Sequence, residues 1–303
     1  MIAAGVLLQV LRSLIFARRT PDSATATAPL FVRWLLHHVG ARPDPIGAEI
    51  FARLRSTSLI GCWMIRQPLV WAARVSGHPP RVFSFPPQAP LDLLTLIQGR
   101  TAFFDRVIED HAERCNQLVI LGAGFDTRAY THGDHLRVFE VDAPATQNRK
   151  TSLLGQLNAS LPQTAFVEVD FRQRSWLDAL QDHGFDPNLP TIVLWEGVTY
   201  YLPETTIHEV LSACGTLPSG SVVAFDYFSH DLVHGKRLSG RLLTGLLVFL
   251  GEPWLFGLST AFPASVQAEN LLHTCGLSLR EHQVFGREDA DHLPFGGLVL
   301  GSV

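Results

Sequence analysis

Apolar positions along the chain change their period near residue 115. Before that point they recur every three or four residues, the spacing of one helix face. Leu30, Phe31, Trp34, Leu35 and His38 predict a helix over 28–38, and Asp44-Pro45 opens the next over 46–54. The stretch 55–89 sets Pro68, Gly77, Pro79, Pro80, Pro86 and Pro87 among aromatics, which predicts a helix and a rigid loop. A long helix is predicted over 91–114. From residue 118 the pattern becomes short apolar runs: 118–121, 138–142, 165–169, 189–194 and 221–227. Helical stretches such as 143–157 and 205–216 separate them, as parallel β-α units require. A helix over 264–275 precedes a closing pair of strands, 277–285 and 296–303. The expected fold class is α/β, with seven strands and a C-terminal hairpin.

The run Leu118–Leu121 leads into Gly122-Ala123-Gly124-Phe125-Asp126-Thr127. Two glycines one residue apart allow a sharp turn and let a ligand approach bare backbone. Asp126 and Thr127 are residue types that bond the free N–H groups where a helix starts. Strand, glycine turn and helix start together form a nucleotide cradle. The dinucleotide fingerprint asks for a third glycine where Thr127 stands, which weakens a reading as an NAD-binding protein. Glu140 and Asp142 end the next strand about 20 residues after Gly122, the offset of a ribose-binding acid. Being two apart they share a strand face, so one or both reach the same sugar. Gly122, Asp142, Asp170 and Glu196 all fall at carboxyl ends of predicted strands, where ligands of open parallel sheets sit. There Asp170 and the adjacent Phe171 face an adenine.

Three blocks carry a resemblance: Leu-Gly-Ala-Gly-Phe-Asp-Thr-Arg at 121–128, Phe-Glu-Val-Asp-Ala-Pro-Ala-Thr-Gln at 139–147 and Trp-Glu-Gly-Val-Thr-Tyr-Tyr-Leu at 195–202. Together they resemble the leucine carboxyl methyltransferase family of S-adenosylmethionine-dependent O-methyltransferases. The resemblance implies a class I, Rossmann-like sheet, mostly parallel with an antiparallel last strand. It also implies two regions: a helical cap and substrate region at 1–115, and a cofactor-binding core at 116–303 with a lid insertion at about 228–262. Its residue roles transfer by position. Arg33, eleven residues before Asp44-Pro45, meets the cofactor carboxylate, and Glu196 lies near its α-amino group. Arg100, with Arg106 as competitor, reaches cofactor and substrate carboxylate, and Tyr201 completes the holding pair. S-adenosylmethionine is the expected cofactor, and a small-molecule or peptide carboxylate the expected acceptor. The runner-up is a hydroxyl acceptor, which needs a base such as His230 or His234.

Composition narrows this picture slightly. A hydrophobic fraction of 47% and a charged fraction of 17% fit a well-buried α/β protein, and a net charge of −4 gives no case for nucleic acid. Cys62, Cys115, Cys214 and Cys275 are scattered without a CxxC pair, against a zinc site and in favour of a reducing, cytoplasmic setting. The apolar run 3–16 has no preceding positive charge, is interrupted by Arg12, and is too short to span a bilayer. An amphipathic helix on the domain surface is expected there, without stable membrane insertion. A second apolar run, Leu242 to Leu250, is also too short to span; a buried helix or a greasy lid fits it.

Overall fold

The computed structural model describes the whole chain except residues 18–23, 89–90, 93–94, 160–162, 237–239, 242–243, 246, 249–250 and 290. Its seven strands are β1 (Gln117–Leu121), β2 (Arg137–Asp142), β3 (Thr164–Glu168), β4 (Thr191–Trp195), β5 (Val222–Phe228), β6 (Ser278–Phe285) and β7 (Gly296–Ser302). They form one sheet in the order β3-β2-β1-β4-β5-β7-β6. The first five run parallel, and β7 lies between β5 and β6, antiparallel to both. This is the class I methyltransferase arrangement. The continuous apolar runs follow from it, because β1, β4, β5 and β7 are buried along their whole length. The edge strand β6 instead carries Arg280, Glu281 and His282, charge that discourages pairing with another chain.

Helices cover both faces. On one, α5 (Leu96–His111) packs Phe103, Phe104, Val107 and Ile108 onto Leu118, Ile120, Ile192 and Leu194. On the other, α8 (Trp176–Gln181), α9 (Glu204–Gly215) and α11 (Ser265–Thr274) bury Trp176, Ile207, Leu211 and Leu272 against Val119, Phe139, Val193 and Phe225. A third apolar cluster joins α2 (Ala24–His38), α3 (Pro45–Arg53) and α4 (Leu59–Ser76) to Phe125 and to Leu153 and Leu154 of α7 (Pro144–Gln156). Outside these, α1 (Ile2–Ala17) crosses α4 where Gly5 and Gly61 meet. Among the described residues no helix is long and apolar enough to cross a membrane.

Two sequence expectations need correction. The helix expected from 91 starts at Leu96. Leu91 instead bridges to Phe285 in parallel and accepts from Gly286 N at 2.6 Å, while Asp92 and Thr95 bond one another. The helix after the glycine turn is α6 (Ala129–His132), a single turn, so it presents no long aligned dipole to the cradle. Of the apolar run from Leu242 to Leu250, Leu242, Leu243, Leu246, Phe249 and Leu250 lie outside the described residues. A short α10 (His230–Val233) precedes that run.

Candidate active site

The glycine turn leaves β1 held to β2: Gly122 N and Ala123 N both donate to Val141 O, at 2.7 and 3.1 Å. Gly122 and Gly124 have φ of +65° and +47°, the left-handed region that side chains resist. A Cβ on Gly122 would strike Val198. One on Gly124 would strike nothing, reaching only ordinary van der Waals contact with Ala26 Cβ at 3.8 Å and Gly122 O at 3.9 Å across the space above the turn. That space at the strand ends is a cradle a side chain would fill. Asp142 faces it: one carboxylate oxygen accepts from Gly124 N at 2.5 Å, the other from Ala143 N at 2.7 Å. Two backbone amides fix this carboxylate, and each oxygen keeps a lone pair for a sugar hydroxyl. The residues present therefore fit the nucleoside end of the expected cofactor.

Glu140 does not share that position. It is fully buried and pairs with the equally buried Lys150 Nζ, while Gln147 donates to its backbone carbonyl. Burial raises its carboxyl pKa despite the Lys150 ammonium. The structure sets Glu140 beneath α7 against Lys150, and of the pair it is Asp142 that stands at the turn.

Four arginines and five carboxylates form a largely buried network behind the turn. Arg128 donates to Asp105 at 2.7 Å, to Asp126, and to Glu196 at 2.7 Å. Arg100 donates from Nε to the other Glu196 oxygen at 3.0 Å, and from Nη1 to Tyr200 Oη and Asp226, both at 3.2 Å. Glu196 thus bridges two guanidinium groups. Arg33 donates twice to Asp44, at 2.9 and 2.7 Å, and also to Thr127 Oγ1. Arg42 joins Asp105 at 2.6 Å to Asp44 at 3.3 Å. Burial alone would raise the Asp44 carboxyl, but Arg33, Thr127 and Arg42 outweigh it and hold it at about 2. Asp126 is lowered in the same way, by Arg128 and Arg33 against burial. Asp226, without exposure inside β5, is the exception: burial raises it even with Arg100 adjacent.

The structure brings Arg33, Arg100, Asp126 and Glu196 into one network and sets Gly122, Ala123, Gly124 and Asp142 at the turn. Asp126 does not cap a long helix; it accepts from Arg128 N at 2.7 Å and pairs with that side chain. Arg106 is 43% exposed and held by Asp110 and Glu281, whereas Arg100 is 4% exposed and lies inside the network. Asp170 is engaged by Arg172 through both oxygens at 3.0 Å, and Phe171 lies edge-on to Trp195. The phenol beside Arg100 belongs to Tyr200, not Tyr201, because the 3-10 turn Thr199–Tyr201 aims Tyr200 inward. Tyr201 packs against it with ring centres 4.7 Å apart. His230 and His234 stack on one another at 4.0 Å, outside this network.

Sequence reasoning passes over Asp226, Asp105, Tyr200 and Arg128. Asp226 had a signal: an acid inside the wholly apolar run Val-Val-Ala-Phe-Asp-Tyr-Phe requires a buried partner. A half-open cavity of about 300 Å³ lies between α2, α3 and α4, lined in part by Trp34, His38, Phe51, Trp63 and Arg66. No strand-end residue lines it, so it is separate from the cradle.

Comparison with known proteins agrees with this arrangement. A profile of the family described as "Leucine carboxyl methyltransferase" matches residues 82–215. The chain is 32% identical over 219 residues to the Bacillus subtilis protein named "Putative S-adenosyl-L-methionine-dependent methyltransferase YktD", covering 70% of this chain and 69% of that one. A Mycobacteroides abscessus protein of the same description is 31% identical over 232 residues, 74% of each chain. In fold, the chain is similar to a DUF574 family protein from Streptomyces avermitilis, with a TM-score of 0.50 and 17% identity, covering 89% of this chain and 96% of that one. The glycine cradle, the sheet order and these relatives together show that the chain belongs to the leucine carboxyl methyltransferase family and is an S-adenosylmethionine-dependent methyltransferase.

Proposed function

We propose that this methyltransferase esterifies a carboxylate, on a small molecule or a peptide C-terminus. One observation carries the reading. Arg100 is immobilised through Nε and Nη1, while its Nη2 has no acceptor among the described residues. A buried guanidinium with Nε and Nη1 committed and Nη2 open can offer that one nitrogen to an oxygen anion. Two further donors stand nearby. Tyr200 accepts from Arg100 and keeps its own O–H to give. Trp254 packs on Tyr200 with ring centres 5.5 Å apart, and its Nε1 is buried without a partner. Leu255 N donates to Tyr200 O at 2.7 Å, which supports a lid role for 228–262 over a cap-and-core division at 115/116.

In this reading Gly122, Ala123 and Gly124 cradle the cofactor, Asp142 takes the ribose, and Asp170 with Phe171 takes the adenine. Arg33, Asp126 and Glu196 line the methionyl end. S-adenosylmethionine, when bound, would supply an electrophilic methyl group to the acceptor oxygen, with S-adenosylhomocysteine as the leaving group. Arg100, with Tyr200 in the place expected for Tyr201, orients the acceptor. A carboxylate, with a pKa near ~4, is already ionised, so no base is needed. Positioning can contribute about 7–11 kcal/mol to lowering such a barrier.

The test is single-turnover methyl transfer to small-acid and peptide pools across pH 6–8, with alkaline hydrolysis separating ester from ether products. The expected result is a base-labile product, a flat pH profile, and severe loss in Arg100→Lys, because one ammonium cannot hold Glu196 and Asp226 in the guanidinium's planar geometry and still face the acceptor. A base-stable product, with a rate that rises with pH and disappears in His230→Ala or His234→Ala, would establish the hydroxyl acceptor instead.

A further inference from the structure

We propose that α1 and α4 form a docking surface for the anionic face of a phospholipid bilayer. Helix α1 is amphipathic in the reverse sense. Gln9 and Ser13 point into the protein, while Arg12 lies exposed at the edge of their face: Gln9 donates to Ser56 O at 3.2 Å and accepts from Ser58 N at 2.7 Å. Arg12 Nε donates to Arg55 O at 3.0 Å, and Ser13 Oγ to Ser56 O at 3.4 Å. The opposite arc carries Val6, Val10, Leu14, Leu7, Leu11 and Ile15, all exposed. At 3.6 residues per turn these span roughly half the circumference with no polar residue among them. Alongside, α4 exposes Leu59, Ile60, Trp63, Trp71 and Val75. An apolar surface of this breadth marks an interaction site rather than ordinary surface.

Charge selects the occupant. Residues 1–88 contain ten arginines and three carboxylates, whereas 89–303 contain fourteen basic and twenty-five acidic residues. Two of the three carboxylates are occupied: Asp44 pairs with Arg33 and Arg42, and Glu49 with Arg53. Arg12, Arg55 and Arg74 are exposed on or beside the apolar surface, with Arg74 on α4 between Trp71 and Val75 in sequence. Apolar insertion and a basic patch are the two signals that together give reversible membrane attachment. The indoles of Trp63 and Trp71 suit the headgroup region. A second copy of this chain would bring like charge against like charge, and the acidic remainder turns the rest of the molecule away from an anionic membrane.

Full-length protein is floated on a density gradient with vesicles of phosphatidylglycerol and phosphatidylcholine. It should rise with them, remain at the bottom with phosphatidylcholine alone, and be released by high salt. Leu7→Glu/Leu11→Glu should abolish flotation while leaving S-adenosylmethionine affinity in calorimetry unchanged, which shows the variant folded. Arg12→Gln/Arg74→Gln should weaken vesicle affinity roughly 30-fold, at about fivefold per arginine near the surface. Failure of the wild type to float, equal binding to neutral vesicles, or flotation of the Leu7/Leu11 variant would each overturn the proposal. So would a dimer in sedimentation that the Leu7/Leu11 substitutions split, since a second copy would then cover the face.

Discussion

Asp142 shows how much one side chain inherits from its surroundings. The amides of Gly124 and Ala143 fix its carboxylate at the end of β2, and burial raises its pKa against those two bonds. A carboxylate held this way pays little ordering cost when it meets a sugar diol. Asp142→Ala should therefore weaken S-adenosylmethionine and S-adenosylhomocysteine alike, since both carry the ribose. Charge-assisted hydrogen bonds of this kind contribute about 1.5–3 kcal/mol, so a loss of one to two decades in calorimetric affinity is expected. An effect confined to one of the two ligands would place Asp142 elsewhere than at the ribose.

At the level of elements, α1 is held by a crossing of glycines. A Cβ on Gly61 would lie 2.7 Å from Gly5 O, and one on Gly5 would lie 2.6 Å from Gly61 O. Backbone meets backbone there, so neither can give way as a flexible side chain would. Gly61→Val should push α1 off α4 at a cost of about 1–3 kcal/mol, the usual penalty of overpacking. Denaturant unfolding measures that loss. Faster proteolysis at Arg12 would show that α1 is the element displaced, with the sheet unchanged.

Across the whole molecule, the arginine–carboxylate network ties the N-terminal helices to the strand ends. Asp44, in the link before α3, reaches Thr127 beside the glycine turn, 83 positions away. Its pKa is depressed from 3.8 to about 2, so its stabilisation is fully present above pH 3.8 and is lost as pH falls through about 2. The shift corresponds to about 2 kcal/mol. Asp44→Asn should be less stable than wild type by about that amount at pH 7, with the difference closing between pH 4 and 2 in chemical denaturation. A difference independent of pH in that range would mean that Asp44 acts through packing rather than charge.

Local pattern was sufficient for the strands and most helices, though not for the start of α5 or the length of α6. Buried strands read as apolar runs because parallel sheets bury both faces, and Gly122 and Gly124 read as a turn because only glycine takes those angles freely. Strand ends then carried Asp142 and Glu196 to the ligand side, since in this fold ligands sit at the carboxyl ends. Partnership was not legible. Glu140 and Asp142 look equivalent two residues apart, and only the packing of Lys150 over Glu140 separates them. Tyr200 and Tyr201 are neighbours of one type, and the short 3-10 turn decides which phenol meets Arg100. The pairs Arg100–Asp226 and Arg128–Glu196 join positions 126 and 68 residues apart. Hydrophobic periodicity is a property of neighbours along the chain and so was written in the sequence; ion-pair choice depends on which distant side chains are desolvated together, and only the tertiary structure decided that.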